Sequence, residues 1–173
     1  IDSSIGGALA VRHLRQRGFE QLIFLRPFIT NWVTQRLQGI QAAVAAEDLQ
    51  VFPKRPLAKV DLNLQPEIGG RLAARILAMP PAPKTGIIAP NDLVARGFME
   101  QASTMGFEAG RDYGILGFDD RQREVQLTSL RPPLEQMGQE AARLAMLCLH
   151  RRVAPSRVAL PHSLIARAST KIP

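Results

Sequence analysis

Short apolar runs alternate with stretches of helical spacing along most of this chain, and that alternation restricts the fold more than any other feature. LIFL at 22–25, VDLNL at 60–64, GIIA at 86–89 and YGILGF at 113–118 are each short and nearly continuous in apolar character, as buried parallel strands are. Between them run amphipathic stretches. Ile5, Ala8, Leu9, Val11 and Leu14 predict a helix over 4–17, closed by Gly18. Thr30 or Asn31 caps a second helix reaching about Glu47, with Val33, Leu37, Ile40, Ala43 and Val44 on one face. Further helices are expected from Pro66 to Met79, from Asn91 or Asp92 to Met105, and from Leu134 to His150. The last carries Leu134, Met137, Ala141, Leu144, Ala145 and Cys148 inward, which makes the single cysteine a small core residue. PKRP at 53–56, MPPAP at 79–83 and RPP at 131–133 break helices and read as connections, with a crossover at 128–133, and the tail 157–169 predicts two short strands broken at Pro161. Strand and helix in alternation specify an α/β fold with a doubly wound parallel sheet.

With 173 residues, 46% hydrophobic and 21% charged, the chain can bury a real core and lies far from the composition of disordered segments. No run approaches the length of a membrane span, and the first residues lack the pattern of a secretion signal, so a cytoplasmic location is expected. The net charge of +7 raises the possibility of a nucleic-acid surface. Its arginines are spread along the chain without interleaved aromatics, which predicts solvated faces instead.

In open parallel sheets, ligands sit beyond the carboxyl ends of the strands, where loops and helix N-termini converge. Applied here, that rule selects Thr30, Asn31, Trp32 and Arg36 after LIFL, Gln65 after VDLNL, Asn91 and Asp92 after GIIA, and Asp119 and Asp120 after YGILGF. Arg36 supplies a fork of donors, Asp119 accepts from paired hydroxyls or ring nitrogens, Asn91 does both, and Trp32 offers a ring face. A small polyol, nucleoside-like or acidic metabolite suits such a rim.

The segment TGIIAPNDLVARGFMEQASTMGFEAGRDYGILGFDD, followed by LTSLRPPLEQMGQEAARL, resembles the effector-binding domain of LacI/GalR transcription regulators, as do IDSSIGGALAVRHLRQRGFEQLIFL and RLQGIQAA upstream. The resemblance implies a two-lobed fold of the type I periplasmic-binding-protein kind that closes on an effector such as a sugar, sugar acid or nucleobase. It implies effector contacts from Arg36 of the RLxG stretch, Asn91 of APND and Asp119 of GFDD, and it places Asp2 near the cleft. It also implies a homodimer that reaches operator DNA through an N-terminal helix-turn-helix absent from this chain. By the same likeness, residues 1–18 and 131–152 are expected to be the remainder of an incomplete N-terminal lobe, with 19–129 and 157–173 forming the C-terminal lobe, so that the chain is a piece of a longer regulator. Leu64 and Gln65 stand where members place a ring-packing residue, and Trp32 where many have small or polar ones, so effector identity does not carry over.

Two other readings compete. A periplasmic solute-binding protein would share the fold. An enzyme is disfavoured because His13, His150 and His162 lack metal-ligand spacing and neither HExxH, GxSxG, P-loop nor GxGxxG occurs, which leaves no catalytic residue, metal or cofactor to assign. Asp119 with Asp120 is the best acid–base pair available, and sequence neighbours seldom face one substrate atom.

Overall fold

In the computed structural model, residues 2–56, 61–121, 126–151 and 158–171 are described. Helices α1 (Ser3–Gln16), α2 (Asn31–Ala43), α3 (Gln65–Ile76), α4 (Asp92–Thr104) and α5 (Leu134–Arg151) alternate with strands β1 (Gln21–Leu25), β2 (Leu49–Phe52), β3 (Thr85–Ile88), β4 (Gly114–Phe118), β5 (Thr128–Arg131) and β6 (Ser163–Ile165). The sheet order is β2-β1-β3-β4-β5-β6. Every pairing is parallel except β5 with β6, where Leu130 faces Leu164.

Local chemistry accounts for the boundaries. Thr30 caps α2 by accepting from Val33 N, and Asn91 caps α4 by accepting from Val94 N. Gly18 takes φ 83 just past α1, the left-handed turn that its lack of a Cβ permits. All of β3 and β4 is buried, as their apolar runs require. Right-handed crossovers in this strand order put the α1–α2 pair on one face and the α3–α4 pair on the other. Both pairs approach closely at a glycine: a Cβ on Gly39 would lie 1.8 Å from Ser4 O, and one on Gly97 1.9 Å from Pro66 O.

Several expectations need correction. VDLNL is no strand where described: Leu62–Leu64 form a 3₁₀ turn, nucleated by Asp61 accepting from Asn63 N, and Val60 lies outside the described residues. The strand that follows α2 is β2, LQVF. Its sheet partner is β1, and its residues are only half-buried or exposed. The stretch 128–131, expected as a crossover, is strand β5, whose polar Thr128 and Ser129 are fully buried because hydrogen bonds satisfy them. Among the described residues of the tail only β6 forms a strand, and Val158–Leu160 are irregular. Helix α2 ends at Ala43 rather than near Glu47.

Helix α1, from the stretch 1–18 expected in another lobe, packs on this sheet. Ala10, Val11 and Leu14 of α1 are at most 1% exposed in the same core as the sheet, and Leu14 Cδ1 packs over Gly86 of β3. Helix α5 behaves in the opposite way. None of its residues with described burial is buried, and Leu134, Met146 and Leu149 are exposed, so the side expected inward faces no core among the described residues.

Candidate functional site

The sheet order reverses direction at β1, which has β2 on one side and β3 on the other. Loops leaving the carboxyl ends of β1 and β3 therefore diverge to opposite faces and leave a crevice between them. A cavity of about 600 Å³ occupies it, lined by Ser3, Asn31, Trp32, Gln35, Arg36, Asn91, Asp119, Arg121, Pro132, Leu134 and His162. A second cavity of about 640 Å³ adjoins it and shares Asp119, Arg121, Pro132 and Leu134.

Arg36 forms the floor. It projects from the second turn of α2, is 6% exposed, and donates through Nη1 to Pro90 O. Its guanidinium carbon lies 3.9 Å from the ring centre of Phe118 and 4.6 Å from that of Trp32, a cation held between two π faces. Burial lowers its pKa to about 10, while Asp119 and Asp92 pull the other way. Nη2 stands 4.0 Å from Asp119 Oδ1, beyond hydrogen-bond reach, and the buried Nε has no partner.

The two consecutive aspartates after β4 have separate roles. Both take positive φ, 99 and 51, which turns the chain sharply and sends the side chains apart. Asp119 faces the cavity with a side chain 42% exposed; burial raises its pKa against the pull of Arg36 and Arg121. Asp120 is fully buried and ion-paired to Arg131 at 2.5 Å and Arg167 at 2.7 Å. Burial alone would raise its pKa, but the bonds and charges of those two arginines hold it below the ordinary value. An acid–base pair cannot be built from these neighbours, because the buried Asp120 carboxylate is already ion-paired to two arginines.

Asp92 is part of the frame. Its carboxylate accepts from Ser129 Oγ at 2.7 Å and Arg121 N at 3.0 Å, tying the α4 N-terminus to β5 and to the loop after β4. Burial raises its pKa to about 6, with Asp119 and Asp120 adding to the shift.

Of the residues expected at the site, Asn31, Trp32, Arg36, Asn91 and Asp119 line the cavity together. Trp32 gives one face to Arg36 and meets Phe28 edge-on at 5.7 Å, so it braces the cation as well as walling the cleft. Asn91 uses Oδ1 as the α4 cap and donates through Nδ2 to Gln65. Gln65 itself is buried behind Asn91 and positions it. Asp2 caps α1 by accepting from Ser4 N at 2.9 Å and Ser4 Oγ at 2.6 Å, and its neighbour Ser3 is the one that lines the cavity.

Sequence reasoning missed His162. It lies between Pro161 and β6, 7% exposed, its ring edge-on to Phe118 at 6.0 Å. Burial and the nearby Arg36 lower its pKa to about 4. A histidine beside a proline in an irregular tail carries no local signal of this placement. Among the described residues no group of histidine, cysteine and carboxylate side chains could hold a metal ion, and no helix is long and apolar enough to cross a membrane.

Comparison with known proteins fits this geometry. Residues 11–170 match the family described as periplasmic binding protein-like domain. The HTH-type transcriptional repressor PurR of Mannheimia succiniciproducens is 25% identical, over 99% of this chain and 52% of its own length. The HTH-type transcriptional regulator GalR of Escherichia coli is 28% identical, over 100% of this chain and 51% of its own. The chain thus spans about half the length of such relatives. Among solved structures, a LacI family transcriptional regulator from Enterococcus faecalis with bound ribose superposes with TM-score 0.80 at 29% identity, covering 99% of this chain and 62% of that one. A LacI transcriptional regulator from a Rhodococcus species reaches TM-score 0.82 at 22% identity, a likeness of fold.

Proposed function

Because the chain belongs to the periplasmic binding protein-like domain family, in the form carried by LacI-family transcriptional regulators, we propose that it is the effector-sensing part of a DNA-binding regulator. The observation that carries the reading is Arg36: a guanidinium buried on a cavity floor, clamped between two rings, with Nε unpartnered and Nη2 out of reach of its nearest carboxylate. Holding a desolvated cation in that state is unfavourable unless a ligand completes its hydrogen bonds.

A hydroxylated metabolite of sugar size fits the cavity, and a relative with bound ribose supports that class. Arg36 would donate to ring or hydroxyl oxygens, Asp119 would accept from paired hydroxyls, and Trp32 would cover one face. Asn91, held by Gln65 and the α4 N-terminus, would add a pre-aimed amide N–H.

In the intact regulator a second lobe would close over this rim and cover the apolar stripe of α5, so residues 131–152 would belong structurally to that lobe. The ligand would act by binding the closed arrangement more tightly than the open one, since only that difference shifts the population. A homodimer reaching operator DNA through a helix-turn-helix, in the cytoplasm, completes the proposal. The chain's relatives, being regulators, favour this over a transporter's solute-binding protein, and over an enzyme.

Thermal unfolding against a panel of sugars, sugar acids and nucleobases tests it. A true effector raises the midpoint, by a free energy of about 2.7 kcal/mol at one hundred times its dissociation constant. Both Arg36→Ala and Asp119→Ala should abolish the shift. A shift that survives in both variants would mean that this cavity is not the site.

A further inference from the structure

Strand β2 forms an edge of the sheet that the cleft does not use. It pairs with β1 on one side, and among the described residues no strand borders it on the other. Phe52 O accepts from Arg26 N, so Phe52 directs its peptide groups toward β1. Those groups alternate in direction along a strand, which turns Gln50 the same way and sends the N–H and C=O of Leu49 and Val51 outward. No described backbone group meets them there. Two donors and two acceptors at strand spacing are therefore on offer beside half-buried Leu49 and Val51.

A cavity of about 830 Å³ follows this edge. Its lining joins the apolar side chains of Leu49, Val51 and Phe52 to the cations Lys54, Arg55 and Arg75, and it includes no carboxylate. The Arg75 guanidinium carbon lies 5.0 Å from the Phe52 ring centre, which fixes that cation over the strand. Arg26 adds a fourth positive group alongside, donating through Nη2 to Lys54 O while its Nε is buried without a partner. Among the described residues none of the four is ion-paired. Of the acids flanking the strand in sequence, Asp48 is held by Arg15 at 2.5 Å. Counting both Glu47 and Asp61 against the four cations still leaves the edge positive.

The charge decides between occupants. A second copy of this chain would set the same cations against themselves, which opposes edge-to-edge pairing. A nucleic acid would meet the charge but leave the outward backbone groups unused, and the ring it would stack on, Phe52, is covered by Arg75. A peptide strand carrying carboxylates satisfies both features at once. We propose that the β2 edge docks an extended acidic segment of a partner protein, which adds a strand through Leu49 and Val51 and sets its carboxylates against Lys54, Arg55 and Arg75.

Fluorescence-anisotropy titration of the protein with a labelled octapeptide of alternating threonine and glutamate tests this. Its controls are a twin with lysine for glutamate, a twin with proline for threonine, which keeps the charge but loses every second N–H, and a labelled octamer of deoxythymidine. The acidic peptide should bind about tenfold more tightly than each of the three. Replacing Lys54→Glu together with Arg55→Glu should weaken it by about the same factor, and Arg143→Gln, on exposed α5, should leave it unchanged. Amide hydrogen exchange at Val51 should be fast in the free protein and slowed by the peptide. Four results would overturn the proposal. Absence of binding would leave the cations as guards against edge pairing; equal binding of the proline twin would reduce the effect to charge alone. Equal binding of the deoxythymidine octamer would make the edge a general polyanion surface, and a Val51 N–H already protected in the free protein would mean that the edge is covered.

Discussion

The two ends of the sheet hold polar clusters of opposite character. At the amino end of β5, His13 Nε2 meets Thr170 Oγ1 at 2.9 Å, Thr170 meets Thr128 Oγ1 at 2.8 Å, Thr128 accepts from Arg167 N at 2.9 Å, and Ser169 Oγ bridges Thr128 N and Ile115 O. Each of these groups has its partner within the chain, and the cluster pins the 3₁₀ turn at Ala168–Thr170 beneath the sheet. At the carboxyl ends Arg36 and His162 keep nitrogens without partners, and Asp119 stands just out of reach of Arg36. A closed network stabilises the fold, whereas an open one of the same residue types is unfavourable until something binds. That difference is the ground on which we propose the second cluster as the functional one.

The largest expected effect comes from breaking the closed network. Thr128→Val removes the acceptor for Arg167 N and the partner of Thr170, and should destabilise the protein by about 2–3 kcal/mol in denaturant unfolding. Affinity for effector should be unchanged by it. An equal loss from a valine at a solvent-exposed threonine would remove the distinction.

Next in size is a pH dependence. Burial lowers the pKa of His13, with Arg17 adding to it, and lowers that of His162 to about 4, whereas the unfolded chain takes up protons near 6.5. Both rings therefore stay neutral in the fold. Stability is complete above pH 6.5 and falls as the pH drops from there toward 4, where the unfolded state binds protons that the native state refuses. The His162 share should be on the order of 2 kcal/mol. A His162→Gln variant should show a flatter curve over that interval, and identical slopes would place His162 in water.

The smallest effect on stability, and the most informative, is at Asp119. With its side chain 42% exposed and 4.0 Å from Arg36, Asp119→Asn should change the unliganded stability by less than about 1 kcal/mol while abolishing the effector's thermal shift. A large loss of stability would class Asp119 with Asp120 as a structural group.

Legibility in the sequence followed the same physical divide. Strands buried on both sides announce themselves by continuous apolar runs, and β1, β3 and β4 stand where LIFL, GIIA and YGILGF place them. Strand β2 is an edge whose LQVF pattern is broken by Gln50 and only half-buried, so its signal is weak. The reverse error arose at VDLNL, where β-prone residues are overruled by the turn that Asp61 nucleates. In β5, Thr128 and Ser129 look like loop residues because their partners, Ser169, Thr170 and Asp92, are distant in the chain. The site divides likewise. Strand-end positions locate Arg36, Asn91 and Asp119 on the rim, but the roles of Gln65 and Asp2 behind it, and the presence of His162 in it, depend on tertiary contacts that no local pattern encodes.

Trp32 is the only tryptophan in the sequence, and it stacks on Arg36 at the cavity wall, so its emission reports directly on the cleft. The most direct test titrates the protein with a compound that raises its unfolding midpoint while following Trp32 fluorescence. A saturable change in emission, with a dissociation constant matching the thermal shift and lost in Asp119→Asn, is the predicted result. A compound that stabilises the protein and leaves Trp32 emission unaltered at saturation would place the ligand elsewhere and contradict the account.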